Sequence, residues 1–338
     1  MVNRCLKALV LAATHMAVAL GAGATCAAAS QTGAHAATDN YQKWRTAAVA
    51  TLSARADANS LATAAALRYV GTAYGTRTGV SKAGASALEL VAHAGELAPQ
   101  SASIGWLNLQ LCADTPSCDI RDAATAMRWV DADNGAAWLL TLAAAQREKD
   151  STEVDRVLAD MAQGARFDFY WNRIVVLMVD ALYSVRHELP GGFAASDSTR
   201  LTAVSGIANS EIIPPFTALV EACRESSAAP ARREPCMKLS KTMQRSDTVV
   251  AQLAGFIIEK RLHAPDSKEA RMIAERRHVL EWRFATASKL DSALLPWTTN
   301  ARARIRLAHM RAMPREEDVC IAILREHKMA LEPPEVHP

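Results

Sequence analysis

Glu221, Glu225 and Glu281 are the side chains of this sequence whose type most readily suggests catalysis. Two carboxyl groups, one protonated and one ionised, are the machinery of glycoside cleavage: one protonates the leaving oxygen while the other attacks or stabilises the sugar. Glu221 and Glu225 are four residues apart, so on a helix they share a face. The same spacing is commonplace on solvated helices, and no further motif accompanies it. The sequence contains no His-Glu-x-x-His, no Gly-x-Ser-x-Gly, no P-loop, and no Gly-x-Gly-x-x-Gly behind a strand. The Gly-rich "GTAYGTRTG" at 71–79 reads as a loop at a helix end.

Metal chemistry is equally unsupported. Asp131 and Asp133 in "DADN" have the look of a ligand pair, but a calcium loop needs further acidic ligands at fixed offsets and a closing Glu. They read instead as turn and cap residues, with Asp133 or Asn134 accepting from the first free N–H groups of the next helix. There is no Cys-x-x-Cys, and the 9 histidines are scattered. His187, just before Pro190, is placed to meet the negative end of a helix. No catalytic residue, cofactor or metal site is assigned, and enzyme activity stays open.

The N-terminus suggests export. Arg4 and Lys7 are followed by a largely apolar run from Leu6 to Ala24 and by Ala-x-Ala triplets at Ala27–Ala29 and Ala34–Ala36, the order of a secretory signal peptide over 1–36 with cleavage after 29 or 36. A retained anchor, or a lipid on Cys26, are the alternatives, the latter weakened by Thr25 where a small residue is usual. No later segment is apolar enough to span a bilayer, so no stable membrane insertion is expected afterwards. In an oxidising compartment Cys112 would pair with Cys118 across "ADTPS", and Cys223 with Cys236 across "RESSAAPARREP", leaving Cys320 as a buried thiol. Five unpaired cysteines are the alternative.

The elements that would position these residues are helical. Ala, which loses no side-chain entropy in a helix, is abundant, and alternating β-branched runs are scarce. Trp106, Trp138 and Trp171 are 32 and 33 residues apart, and each opens an apolar helical run: "WLNLQLC", "WLLTLAAA" and "WNRIVVLM". A fixed period in that range marks stacked helix pairs, each covering the apolar face its neighbour cannot bury alone. The three tryptophans are the expected anchors of the repeat core. The region 60–190 resembles the tetratricopeptide repeat, on the strength of Asp131-Ala132-Asp133-Asn134 with Ala137-Trp138, and more loosely Ala98-Pro99 before Trp106. The likeness is degenerate: Ala132 replaces the family's Pro, and the later Gly and Tyr are missing. It implies an all-α array of stacked antiparallel helix pairs, a tetratricopeptide-like α-solenoid. The whole chain also resembles an uncharacterised family of exported helical proteins from xanthomonad-type proteobacteria, through "DNGAAWL", "YWNRIVV" and "TMQRSDT". Glu225-Ser226 resembles lytic transglycosylases only as a dipeptide.

These readings divide the chain into the leader, tetratricopeptide-like repeats over 38–190, a break at Pro190-Gly-Gly, a basic helical region over 197–330 and a flexible tail at 331–338. From Thr38 to Arg200 there are 15 Lys/Arg against 18 Asp/Glu, a net of −3; from Arg232 to Arg311 there are 17 against 8, a net of +9. An acidic partner or a merely solvated Arg-rich surface would each account for the excess. Export and the lack of a nucleic-acid module argue against nucleic acid. Arg276, Arg277, Trp282 and Arg283 form the candidate binding surface, by cation–π contact, whereas Trp129, Trp282 and Trp297 otherwise read as packing residues. Ser246-Asp247 reads as a cap for the helix that follows it. The expected role is a non-catalytic scaffold or adaptor that binds another envelope or secreted protein. A helical cell-wall glycan-cleaving enzyme and an inhibitor of an exported toxin are the alternatives.

Overall fold

The computed structural model describes residues 27–73, 80–113, 115–189, 196–211, 213–214, 216–224, 230–293 and 300–334. The chain divides into two compact units, 1–42 and 43–338. Of the first, only the opening residues of α1 (Ala27–Ser53) are described, so most of the expected leader lies outside the described residues.

The second unit is all-helical. Its consecutive helices pack as pairs: α2 (Ala58–Ala73) with α3 (Val80–Leu97), α4 (Ala102–Ala113) with α5 (Ile120–Val130), and α6 (Leu139–Glu148) with α7 (Ser151–Met161). Local chemistry sets the boundaries. Asp119 caps α5 by accepting from Arg121 N (2.8 Å) and Asp122 N (3.3 Å), and Asp150 caps α7 by accepting from Glu153 N (3.0 Å). Lys149, left-handed at φ 58°, closes α6 and reverses the chain within two residues. The array of packed neighbouring pairs expected from the period is therefore present.

Its later helices fold back on the earlier ones. After α8 (Trp171–Ser184) come α9 (Asp197–Glu211), α10 (Thr217–Arg224), α11 (Arg233–Met243), α12 (Val249–Arg261), α13 (Lys268–Ala293), α14 (Asn300–Ala312) and α15 (Glu316–Glu326). A one-dimensional solenoid lets each repeat touch only its neighbours. Here α8 packs on α2, α4, α9 and α14, while α10 packs on α6 and α11 on α7. The break at 190–195 lies outside the described residues, and the helices flanking it, α8 and α9, pack together.

Both expected cysteine pairs are disulfides. Cys112–Cys118 ties the end of α4 to the turn before α5, and Cys223–Cys236 ties α10 to α11, while Cys320 is a buried free thiol. No helix among the described residues is long and apolar enough to cross a membrane.

Trp106 and Trp171 are buried at 0% and 4% exposure, Trp106 against Phe169 at 5.2 Å between ring centres. Trp138, expected as a third core anchor, is only half-buried. It ends a 3-10 turn, Gly135–Trp138, instead of sitting inside an α-helix, and Arg128 lies over its ring at 3.9 Å.

Candidate functional site

The start of α8 is held by a set of buried polar groups, and its geometry follows from a segment, 165–170, that runs beside the "DADN" turn. Gly135 N donates to Arg166 O (2.9 Å) and Arg166 N to Asp133 O (3.0 Å), a single parallel bridge. A Cβ on Gly135 would come within 2.6 Å of Met161 O, which is why the turn needs glycine there. Asn134, fully buried, uses both ends of its amide. Its Oδ1 accepts from Ala136 N (3.1 Å) and Asp168 N (3.0 Å), and its Nδ2 donates to Asp168 O (2.8 Å) and Tyr170 Oη (2.9 Å). Asn134 is thus the cap that the sequence suggested.

Asp131 closes α5 as its C-cap and opens the turn, its carbonyl accepting from Asn134 N (3.3 Å), but its side chain does more than that. It is buried, pairs with Arg166 and accepts the Tyr170 hydroxyl proton in a hydrogen bond. Burial pushes its carboxyl above the usual range, against the opposing pull of Arg166. Tyr170 adopts φ 59°, a left-handed conformation uncommon for a bulky residue. The hydrogen bonds to its hydroxyl, from Asn134 and to Asp131, fix the side chain in that turn.

Asp247 also departs from expectation. The cap of α12 is Thr248, whose Oγ1 accepts from Ala251 N (3.4 Å). Asp247 reaches instead to α8, 76 residues earlier, accepting from Phe169 N (2.8 Å) and Trp171 N (3.3 Å). Its own N–H donates to Asp168 Oδ1 (3.2 Å), and its carbonyl accepts from Glu316 N (2.7 Å). Burial, with the nearby Asp168 carboxylate, pushes Asp247 up to about 8 despite its two backbone donors. Asp168 and Glu316 are raised too, burial being the leading cause in each. The seam therefore binds protons more tightly than free carboxyls do. Both Asp247 oxygens face backbone N–H groups, so the residue acts as a helix cap and not as an acid presented to a substrate.

The residues singled out in the sequence are dispersed. Glu221 is exposed on α10, Glu225 lies outside the described residues, and Glu281 on α13 is paired with Arg277 at 2.7 Å. The candidate basic surface does not form one patch. At about 100° per residue, Arg276 and Arg283 share a face of α13 while Arg277 and Trp282 turn away on opposite sides. Each arginine is also engaged within the chain: Arg276 with Glu259 (3.2 Å) and Arg283 with Glu317 (3.0 Å) and Glu332 (2.9 Å). Trp282 is half-buried and Trp297 lies outside the described residues. Trp129, read as a packing residue, is 86% exposed on α5.

Among the described residues no group of three or more His, Cys, Asp or Glu is arranged to hold a metal ion. Comparison with known proteins finds no family model, no curated protein and no solved structure that matches this chain.

Proposed function

We propose that this is a non-catalytic, exported scaffold or adaptor of the periplasm or extracellular space, related to tetratricopeptide-like arrays, that binds another envelope protein through the α5 face around Trp129. The observation that carries this reading is the exposure of Trp129, at 86%. A tryptophan buries some 150–250 Å² when covered, so docking a partner on it is worth on the order of 4 kcal/mol. Tryptophan is also among the residue types that dominate interface energetics. The residues beside it on the same helix face, Thr125 and Ala126, are short and exposed, so the ring stands clear of its own helix. The two disulfides fit an oxidising compartment.

Crosslinking in the native envelope, with wild type and Trp129→Ala compared side by side, tests the reading. One dominant protein partner whose recovery falls by roughly tenfold or more in Trp129→Ala, at unchanged Tm, is the expected result. Equal recovery by both proteins, or recovery of glycan fragments alone, would overturn it.

A further inference from the structure

A cavity of about 30 Å³ lies where α8 meets α13, α14 and α15, away from Trp129. Its polar lining consists of Trp171, Asn172, Ser288, Asp291, Arg306 and Glu316, with Cys320 beside them. Three buried side-chain atoms of those lining residues, Trp171 Nε1, Asn172 Oδ1 and Arg306 Nε, find no hydrogen-bond partner among the described residues. Trp171 and Asn172 are only 4% and 2% exposed. Native proteins pair nearly all such groups, with protein or with ordered water, so three orphans around one space call for a common partner.

Their roles are fixed by the bonds already made. Asn172 Nδ2 donates to Met313 O (2.9 Å) and Pro314 O (3.3 Å), which leaves Oδ1 as the unused acceptor. The Arg306 Nη1 faces Asp291 in an ion pair, which leaves Nε as the unused donor. The indole Nε1 can only donate. The missing partner must therefore accept two hydrogen bonds and donate one.

Charge and size narrow the choice further. A cation would meet the Arg306 guanidinium and two N–H donors. An anion would meet the carboxyl groups of Asp291 and Glu316. A water needs roughly 10–15 Å³ of such space, so about two fit, while an organic ligand does not. We infer that the cavity is a built water site: one ordered water accepts from Trp171 Nε1 and Arg306 Nε, donates to Asn172 Oδ1, and thereby joins α8 to α14. Such a water secures the start of α8 beside the Asp247 cap, to which Glu316 of the same lining is bonded through its N–H.

The test is a high-resolution crystal structure of the oxidised full chain, with a second crystal soaked in bromide. Expected are one or two solvent peaks, one of them about 2.7–3.2 Å from all three atoms, with no anomalous bromide signal there. A bromide peak would replace water by an anion. Short contacts of about 2.4 Å to several oxygens would replace it by a cation. Side chains collapsed onto one another would remove the site. Each of these outcomes overturns the inference. In solution, the Trp171 indole proton should show cross-relaxation with a long-lived water in the wild-type chain. Trp171→Phe, which keeps an aromatic ring but not the N–H, should lose one long-lived water by relaxation dispersion, and an unchanged count would equally overturn the assignment.

Discussion

Replacing Asp247 by Asn removes a strongly perturbed carboxyl of the seam without changing its size. An acid whose folded pKa lies above its unfolded value holds its proton in the folded chain when the unfolded chain has released it. Stability is then fully present below the unfolded pKa and falls as pH rises through the folded one. For Asp247 the window runs from 3.8 to about 8. Within it the slope is about −1.4 kcal/mol per pH unit. Over the whole window of roughly 4 units that sums to about 6 kcal/mol, a ceiling comparable with the total stability of many domains. Asp131, Asp168 and Glu316, also raised, add slope of the same sign. Glu153, whose carboxyl Arg156 holds low, acts oppositely and only in acid.

Asn at 247 keeps one acceptor for Phe169 N but turns an N–H₂ toward Trp171 N, at a cost of about 1–3 kcal/mol. Asp247→Asn should therefore be less stable than wild type near pH 5 and should match or exceed it near pH 9. Urea unfolding of the oxidised protein at unit steps from pH 5 to 9 reads both curves. Parallel curves for the two proteins, or a wild-type stability that climbs through this window, would refute the reasoning and assign the pH dependence to other groups.

Two further perturbations test the packing and the cysteine assignment. A Cβ at Gly255 would sit 2.7 Å from Ser240 O and 2.8 Å from Met243 Cβ, where α12 presses on α11; Gly255→Ala should lose about 1–3 kcal/mol by circular dichroism melting, outweighing the helix propensity gained. The Cys320 thiol, pushed up to about 12 chiefly by burial, should alkylate at pH 8 roughly a thousandfold more slowly than a free thiol. Of the five cysteines from Cys112 onward, mass spectrometry should find only Cys320 modified after denaturation without reduction; modification of Cys112 or Cys223 there would refute the pairing.

What was legible in the sequence is what depends on near neighbours. Caps such as Asn134, the Trp-led apolar runs and two disulfides that close short loops follow from spacing along the chain. Asp247 misled for the same reason. An Asp beside a helix start looks like its cap whatever it does, and Thr248 at the next position takes that job, freeing Asp247 for a helix 76 residues away. The roles of Arg166, Asp168 and Tyr170 depend on partners distant along the chain, and the only local sign is that "RFDFYWN" interleaves charges with aromatics, a pattern that suits neither a simple helix face nor a solvated loop. Trp129 lies on the same amphipathic helix as buried Met127, and only the folded packing shows that its face is outermost.

The charge asymmetry shows why a local count misleads about partners. The net of +9 over 232–311 suits an acidic partner or a solvated Arg-rich surface alike, but its arginines reach back into the acidic half: Arg232 to Asp155, Arg304 to Asp197 at 2.6 Å, and Arg311 to Asp180. The exposed pairs among these contribute little stability each. Their consequence is compensation: opposite charges separated along the sequence neutralise one another where α11 meets α7 and where α14 meets α8 and α9. A chain whose basic helices are partnered internally has less free charge for steering a ligand. The weight of recognition then shifts to apolar contact, for which an exposed tryptophan on α5 is suited by area and by chemistry.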